Sequence, residues 1–199
     1  MSSLKAPHQH PMVRVTPPLP QPVAPANARC GRTQRKGEDL WLIKHGGLIS
    51  CVSFSPDGYR EVLKILQDRY TDEMRHAQLY TQHAGKMQYP QFREKLLAIA
   101  ADEARHAELL ADKITILGGK LPSLPQIPAT EHNSWQYLLA DVDDEMHCSE
   151  ELIEQMQTVR NEMPDVAKVL ERIYEDGAKH RAEIRKMLMR SDPQAGLTG

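Results

Sequence analysis

Glu73, Glu103, His106, Glu145 and His180 are the residues of this sequence whose types and spacing could do chemistry together. Glu103 and His106 stand three apart, which on a helix puts both on one face with Cβ atoms about 5–6 Å apart, so the pair addresses one point. Hard oxygen donors mixed with imidazole, converging from several helices, suit iron or manganese better than copper or a structural zinc. Carboxylates buried together repel one another and shift toward protonation, and a bound dication removes that penalty. The expectation is a pair of metal ions, non-haem iron first and manganese second. His76, three residues after Glu73, is an extra candidate ligand, and Cys148 holds the counterpart position after Glu145.

These residues meet only if helices carry them to a common core. From Tyr59 onward charged residues are threaded through an apolar repeat with steps of three and four, the helical pattern, and strand-like alternation is missing. Proline at a first helical position marks three starts, Pro56, Pro90 and Pro164, where its missing N–H costs nothing. Asn133-Ser134, both good N-caps, mark the fourth. The spacing predicts helices over 57–86, 90–117, 134–160 and 164–190.

Short links within the first and last pairs of helices make each an antiparallel hairpin. The middle link, 118–132, carries Pro122, Pro125 and Pro128. At about 3.1 Å per residue in polyproline-II form it reaches roughly 45 Å, against roughly 40 Å for a helix of that length. Such a link can travel the whole length of the bundle, and the predicted fold is all-α, a ferritin-like four-helix bundle of two hairpins joined by one long crossover; length alone also allows a short-range turn with a floppy loop.

Writing out the seams places glutamate near the middle of three: Tyr70-Glu73-Ala77, Ile99-Glu103-His106 and Val142-Glu145-Ser149. The fourth reads Ile173-Gly177-His180. The chain also repeats itself. Asp72-Glu73-Met74 returns as Asp144-Glu145-Met146, and Asp102-Glu103-Ala104-Arg105-His106 returns as Asp176-Gly177-Ala178-Lys179-His180. Two copies around a pseudo-twofold axis would set two ligand groups face to face.

The segment ADEARHAELL at 101–110 and LGGKLP at 117–122 are similar to rubrerythrin-type di-iron carboxylate proteins of the ferritin-like superfamily. The resemblance covers about 57–190. It implies that Glu73 and Glu145 are the single glutamates, Glu103 with His106 the first Glu-x-x-His pair, and His180 the second histidine. Gly177 departs from that pattern, standing where the second pair supplies its glutamate. Asp176, four residues before His180, is the candidate replacement. The family resemblance also implies a homodimer.

Outside the bundle, positions 1–38 are basic and hold half of the fourteen prolines, a stretch that buries too little apolar area to order, and are read as a disordered tail. A short packing segment is expected over 39–56 and a flexible C-terminus over 191–199. The tail gives no strong nucleic-acid signal, and a plain solvated extension is the expectation. No apolar run of signal-peptide or membrane-spanning length occurs, and the three cysteines form no C-x-x-C pair, so a cytoplasmic protein is expected.

The function that follows is a rubrerythrin-like oxidoreductase acting on oxygen or peroxide, or oxidising Fe(II). A peroxidase cycle would need a separate electron donor, since no rubredoxin-type module is present. The alternative is a metal-poor bundle serving as a binding or assembly module. The acidic run Asp141 to Glu151 reads as mainly a solvated face, Tyr80 as a core filler, and Trp135 as the core anchor of its helix.

Overall fold

The computed structural model describes the backbone of residues 31–35, 38–45 and 48–54 and the whole of 56–194. Four helices form the bundle: α1 (Pro56–Lys86), α2 (Pro90–Ile116), α3 (Ser134–Val159) and α4 (Pro164–Leu188). Each agrees with the pattern-based range to within two residues. Proline opens α1, α2 and α4, and α3 begins with a reciprocal capping box in which the Asn133 side chain accepts from Gln136 N and Gln136 reaches back to Asn133 N. Such a cap contributes about 1 kcal/mol. Helix α2 stops at Gly118, whose φ of 75° only glycine adopts without strain, while Gly119 N closes the end on Ile114 O at 2.9 Å.

Two contacts show that the crossover runs the length of the bundle. At one end Tyr59 Oη, near the start of α1, donates to Leu117 O at 2.6 Å. At the other, Ser134 Oγ accepts from Gln88 N, just past the end of α1. Residues 118–133 therefore leave from beside the start of α1 and deliver α3 beside its finish. Helix α1 packs on α2 and α3, and α4 packs on α3 and α2, as two hairpins joined by a crossover require.

Ahead of the bundle the chain forms a three-stranded antiparallel sheet, β1 (Gly31–Arg35), β2 (Glu38–His45) and β3 (Leu48–Phe54), in the order β1-β2-β3. The sequence reading assigns no strand here, giving the residues through 38 to the tail and 39–56 to a packing segment beside the four-helix bundle. The registers run from Gly31↔Leu42 to Arg35↔Glu38 and from Asp39↔Phe54 to His45↔Leu48. Residues 1–30 and 195–199, most of the expected tail and C-terminus, lie outside the described residues. Among the described residues no helix is long and apolar enough to cross a membrane.

The bundle core divides into two apolar clusters. One gathers Leu66, Tyr70, Leu110, Ile114, Leu152, Leu170 and Ile173, and the other Tyr80, Leu96, Ile99, Leu138, Val142, Ile184 and Met187. A polar layer lies between them, because every helix carries its charged seam residues between the apolar ones of the two clusters. Trp135 is only half-buried, and Tyr137, 1 % exposed, is the aromatic anchor at the start of α3. Leu170 is fully buried. Its replacement by alanine is expected to cost about 2–5 kcal/mol, read as a lower urea midpoint at unchanged slope.

Candidate metal centre

Between the two clusters, α1 supplies Glu73, α2 Glu103 and His106, α3 Glu145 and α4 His180, all buried. They form two groups that share Glu103: Glu73, Glu103 and His106 on one side, and Glu103, Glu145 and His180 on the other. Glu103 Oε2 lies 3.0 Å from His106 Nδ1, while its Oε1 lies 2.7 Å from His180 Nδ1. Glu73 Oε2 is 3.5 Å from His106 Nδ1, and Glu145 Oε1 is 3.8 Å from His180 Nδ1. The internal repeat thus becomes two half-sites flanking one carboxylate.

The electrostatics of the layer call for a cation. Burial, together with the neighbouring charge of Glu103, pushes Glu73 and Glu145 up to about 7. For Glu103, burial acts the same way but is outweighed by hydrogen bonds with His106 and His180, which hold it well below the usual carboxylate range. Burial would lower His106, yet its bonds with Glu103 and Glu73 raise it to about 10. Protons here do the work a dication would do. His180 Nδ1 faces two carboxylates, 2.7 Å from Glu103 Oε1 and 3.8 Å from Glu145 Oε1. Three buried carboxylates and two imidazoles that turn Nδ1 toward them fit a pair of oxygen- and nitrogen-seeking metal ions.

The outer nitrogens of the two histidines are tied across the hairpins. His106 Nε2 lies 3.2 Å from Asp176 Oδ2, and His180 Nε2 lies 3.3 Å from Asp102 Oδ2. Asp176 therefore sits behind His106, on the side away from the carboxylates, and does not reach the place of the missing glutamate. Asp102, absent from the sequence-based candidates, is its twofold mate, and its recurrence directly before Glu103 and Gly177 was the signal. Such aspartates fix the tautomer and orientation of a ligating histidine. Asp176→Ala is expected to weaken metal binding about 10–100-fold without unfolding the bundle, measurable by chelator competition.

At Gly177 an added Cβ would meet Glu145 Oε2 at 3.3 Å. The Glu145 carboxylate leans toward the backbone from which a second shared glutamate would project. Tyr80, more than a core filler, donates from its hydroxyl to Glu145 Oε1 at 2.9 Å. His76 stands apart from both groups. Its Nε2 lies 3.0 Å from Asp144 Oδ2 and 3.6 Å from Cys148 Sγ, and its ring stacks on Tyr80 with centroids 5.7 Å apart. The acidic run is not simply solvated either: Asp141 is 2 % exposed and its Oδ1 lies 2.7 Å from His83 Nδ1. His147, by contrast, is exposed.

In structure the chain resembles a ferritin-like, diiron-carboxylate protein from Bacillus anthracis str. Ames, with 20 % identity, a TM-score of 0.62, and coverage of 68 % of this chain and 99 % of that one. The Desulfovibrio desulfuricans bacterioferritin, whose diiron site was seen in different catalytic states, is 26 % identical with a TM-score of 0.60 over 67 % of this chain and 81 % of its own. A mycobacterial bacterioferritin is 27 % identical with a TM-score of 0.58 over 72 % and 90 %. No curated protein matches in sequence. The rubrerythrin family model matches residues 64–188, a span that contains all four helices' contributions to the polar layer. By that match over more than half its length, the chain belongs to the rubrerythrin family.

Proposed function

We propose that this protein binds two non-haem iron ions and acts as an oxidoreductase on oxygen or peroxide. Glu73, Glu103 and His106 would hold one ion, and Glu103, Glu145 and His180 the other. The observation that carries this reading is the single carboxylate, Glu103, set between two glutamate–histidine groups. The diiron site of the 26 % identical Desulfovibrio desulfuricans bacterioferritin supports it. Manganese suits the same donors.

Bound iron supplies the redox equivalents and Lewis acidity that side chains lack. The protein's own residues set the conditions. Asp102 and Asp176 keep His180 and His106 oriented through their outer nitrogens. Tyr80 holds a proton at Glu145 Oε1. The two apolar clusters keep bulk water from the layer above and below. Repeated peroxide turnover would also require a source of electrons.

The test is anaerobic loading with Fe(II), followed by oxygen or hydrogen peroxide under continuous absorption recording. An oxo-bridge band in the near ultraviolet is expected, with peroxide oxidising the iron faster than oxygen does if peroxide is the substrate. Iron that stays Fe(II) under both oxidants contradicts the oxidoreductase reading, and faster reaction with oxygen favours Fe(II) oxidation.

A further inference from the structure

Helix α3 carries seven carboxylates and no lysine or arginine, while each of the other three helices carries at least four such cations. A solvated surface helix ordinarily mixes the two signs. Of the seven, Asp141 and Glu145 are buried, and Asp144 and Glu151 are bound by Arg75 and Arg69 of α1 at 2.8 and 2.7 Å. Asp143, Glu150 and Glu154 are exposed, and among the described residues they have no cationic partner. Spaced by seven and then four, they form one stripe on the outer side of α3, where Glu150 and Glu154 repel each other across one turn.

The stripe continues into a cleft of about 530 Å³ between α1 and α3, lined by Glu154 together with Asp68, Asp72 and Glu151. Arg69, fully buried, is taken up by Asp72 and Glu151, and Asp68 meets only Lys64, at 3.8 Å, so the cleft keeps unbalanced negative charge. On the side toward α4, where Arg185 reaches Met146, the stripe is flanked by Met146 and Ile153, 43 and 40 % exposed.

The balancing cations are in the same chain. Residues 1–37 hold Lys5, Arg14, Arg29, Arg32, Arg35 and Lys36 and no acidic residue, with Val13, Val15 and Leu19 among them. Asp68 lies twelve residues along α1, about 18 Å from its start. The thirty residues ahead of β1 span roughly 90 Å at about 3.1 Å each, several times that distance. A tethered segment meets its site at an effective concentration on the order of millimolar, so a few individually weak charge pairs are enough to hold it.

We propose that the segment ahead of β1 docks along the α1–α3 face, its Lys5, Arg14 and Arg29 against the cleft and the Asp143–Glu150–Glu154 stripe, and its apolar side chains against Met146 and Ile153. The pairing is between exposed charges, so salt weakens it. It does not depend on metal in the core.

The experiment follows cleavage after Lys5, Arg14 and Arg29 by trace trypsin, using mass spectrometry, in the full-length protein and in a variant carrying Asp143→Asn, Glu150→Gln and Glu154→Gln. At about 0.02 M salt the variant is expected to be cut at least about fivefold faster, and at about 0.5 M salt the two are expected to be cut alike. Equal rates at low salt overturn the proposal. Carbodiimide coupling locates the contact: Lys5, the only lysine ahead of β1, is expected to link to Asp68, Glu150 or Glu154. Links from Lys5 mainly to carboxylates of α2 or α4 contradict the assigned face. Protection that grows with protein concentration would place the segment of a second copy there and overturn the intramolecular form.

Discussion

Glu103→Ala is expected to empty both metal positions, whereas Glu73→Ala and Glu145→Ala each empty one. Glu103 is the only carboxylate common to the two groups, with one oxygen toward His106 and the other toward His180. Its removal leaves each ion two donors, one carboxylate and one imidazole, in a layer closed above and below by apolar side chains. Losing a ligand exceeds the 10–100-fold that removing an outer-nitrogen aspartate costs. Dialysed protein loaded with Mn(II) should therefore hold about two ions per chain in the unaltered protein, about one in Glu73→Ala or Glu145→Ala, and none in Glu103→Ala. Equal retention in all three variants would mean that Glu103 is not shared. The Glu103 variant should still fold, because its metal-free form loses a buried carboxylate along with its crowding of Glu73 and Glu145.

The second large effect is a pH dependence of stability that reverses when metal is present. Glu73 and Glu145 have folded values of about 7 against an ordinary 4.5, raised by burial and by the charge of Glu103. Between those values the folded chain binds more protons than the unfolded one, so stability falls as pH rises. His106, raised to about 10 from 6.5 by its carboxylate partners against the effect of burial, stabilises fully below 6.5 and loses that contribution as pH rises toward 10. The three shifts act in the same direction. Metal-free protein is expected to melt highest near pH 5 and lower by at least about 5 °C at pH 9. Metal ions replace the protons, so with Mn(II) the melting temperature should rise with pH over the same range. A metal-free melting temperature that climbs between pH 5 and 7 would show that the buried carboxylates are ionised at no cost.

The bundle was legible in the sequence because its signals are local. Proline at the helix starts, Gly118-Gly119 at an end and a seam in steps of three and four place the helices within two residues of their observed limits. The reach of the crossover was legible from length and proline content, while the contacts that rule out a short-range turn, Tyr59 with Leu117 and Gln88 with Ser134, are long-range. The five residues of the shared-carboxylate layer were legible because each interrupts an apolar seam in mid-helix, and all five are buried there.

What escaped depends on which neighbour a side chain finds across the core. Asp176 faces His106 on α2 because it lies one residue before the seam and points past it, which spacing from His180 on its own helix does not reveal. Asp141 looked solvated within an acidic run, yet His83 on α1 meets it in the interior. Tyr80 looked like filler until Glu145 came within reach of its hydroxyl. The strands went unread for another reason: they are set by pairing between separate segments, β1 with β2 and β2 with β3, where the sequence reading expected one packing segment over 39–56.

The most direct measurement is a crystal structure of Mn(II)- or Fe(II)-loaded protein with anomalous difference maps at the metal edge. Two peaks, one among Glu73, Glu103 and His106 and the other among Glu103, Glu145 and His180, are the predicted result. A single peak elsewhere, or ligands that leave Glu103 unshared, would contradict the two-metal centre.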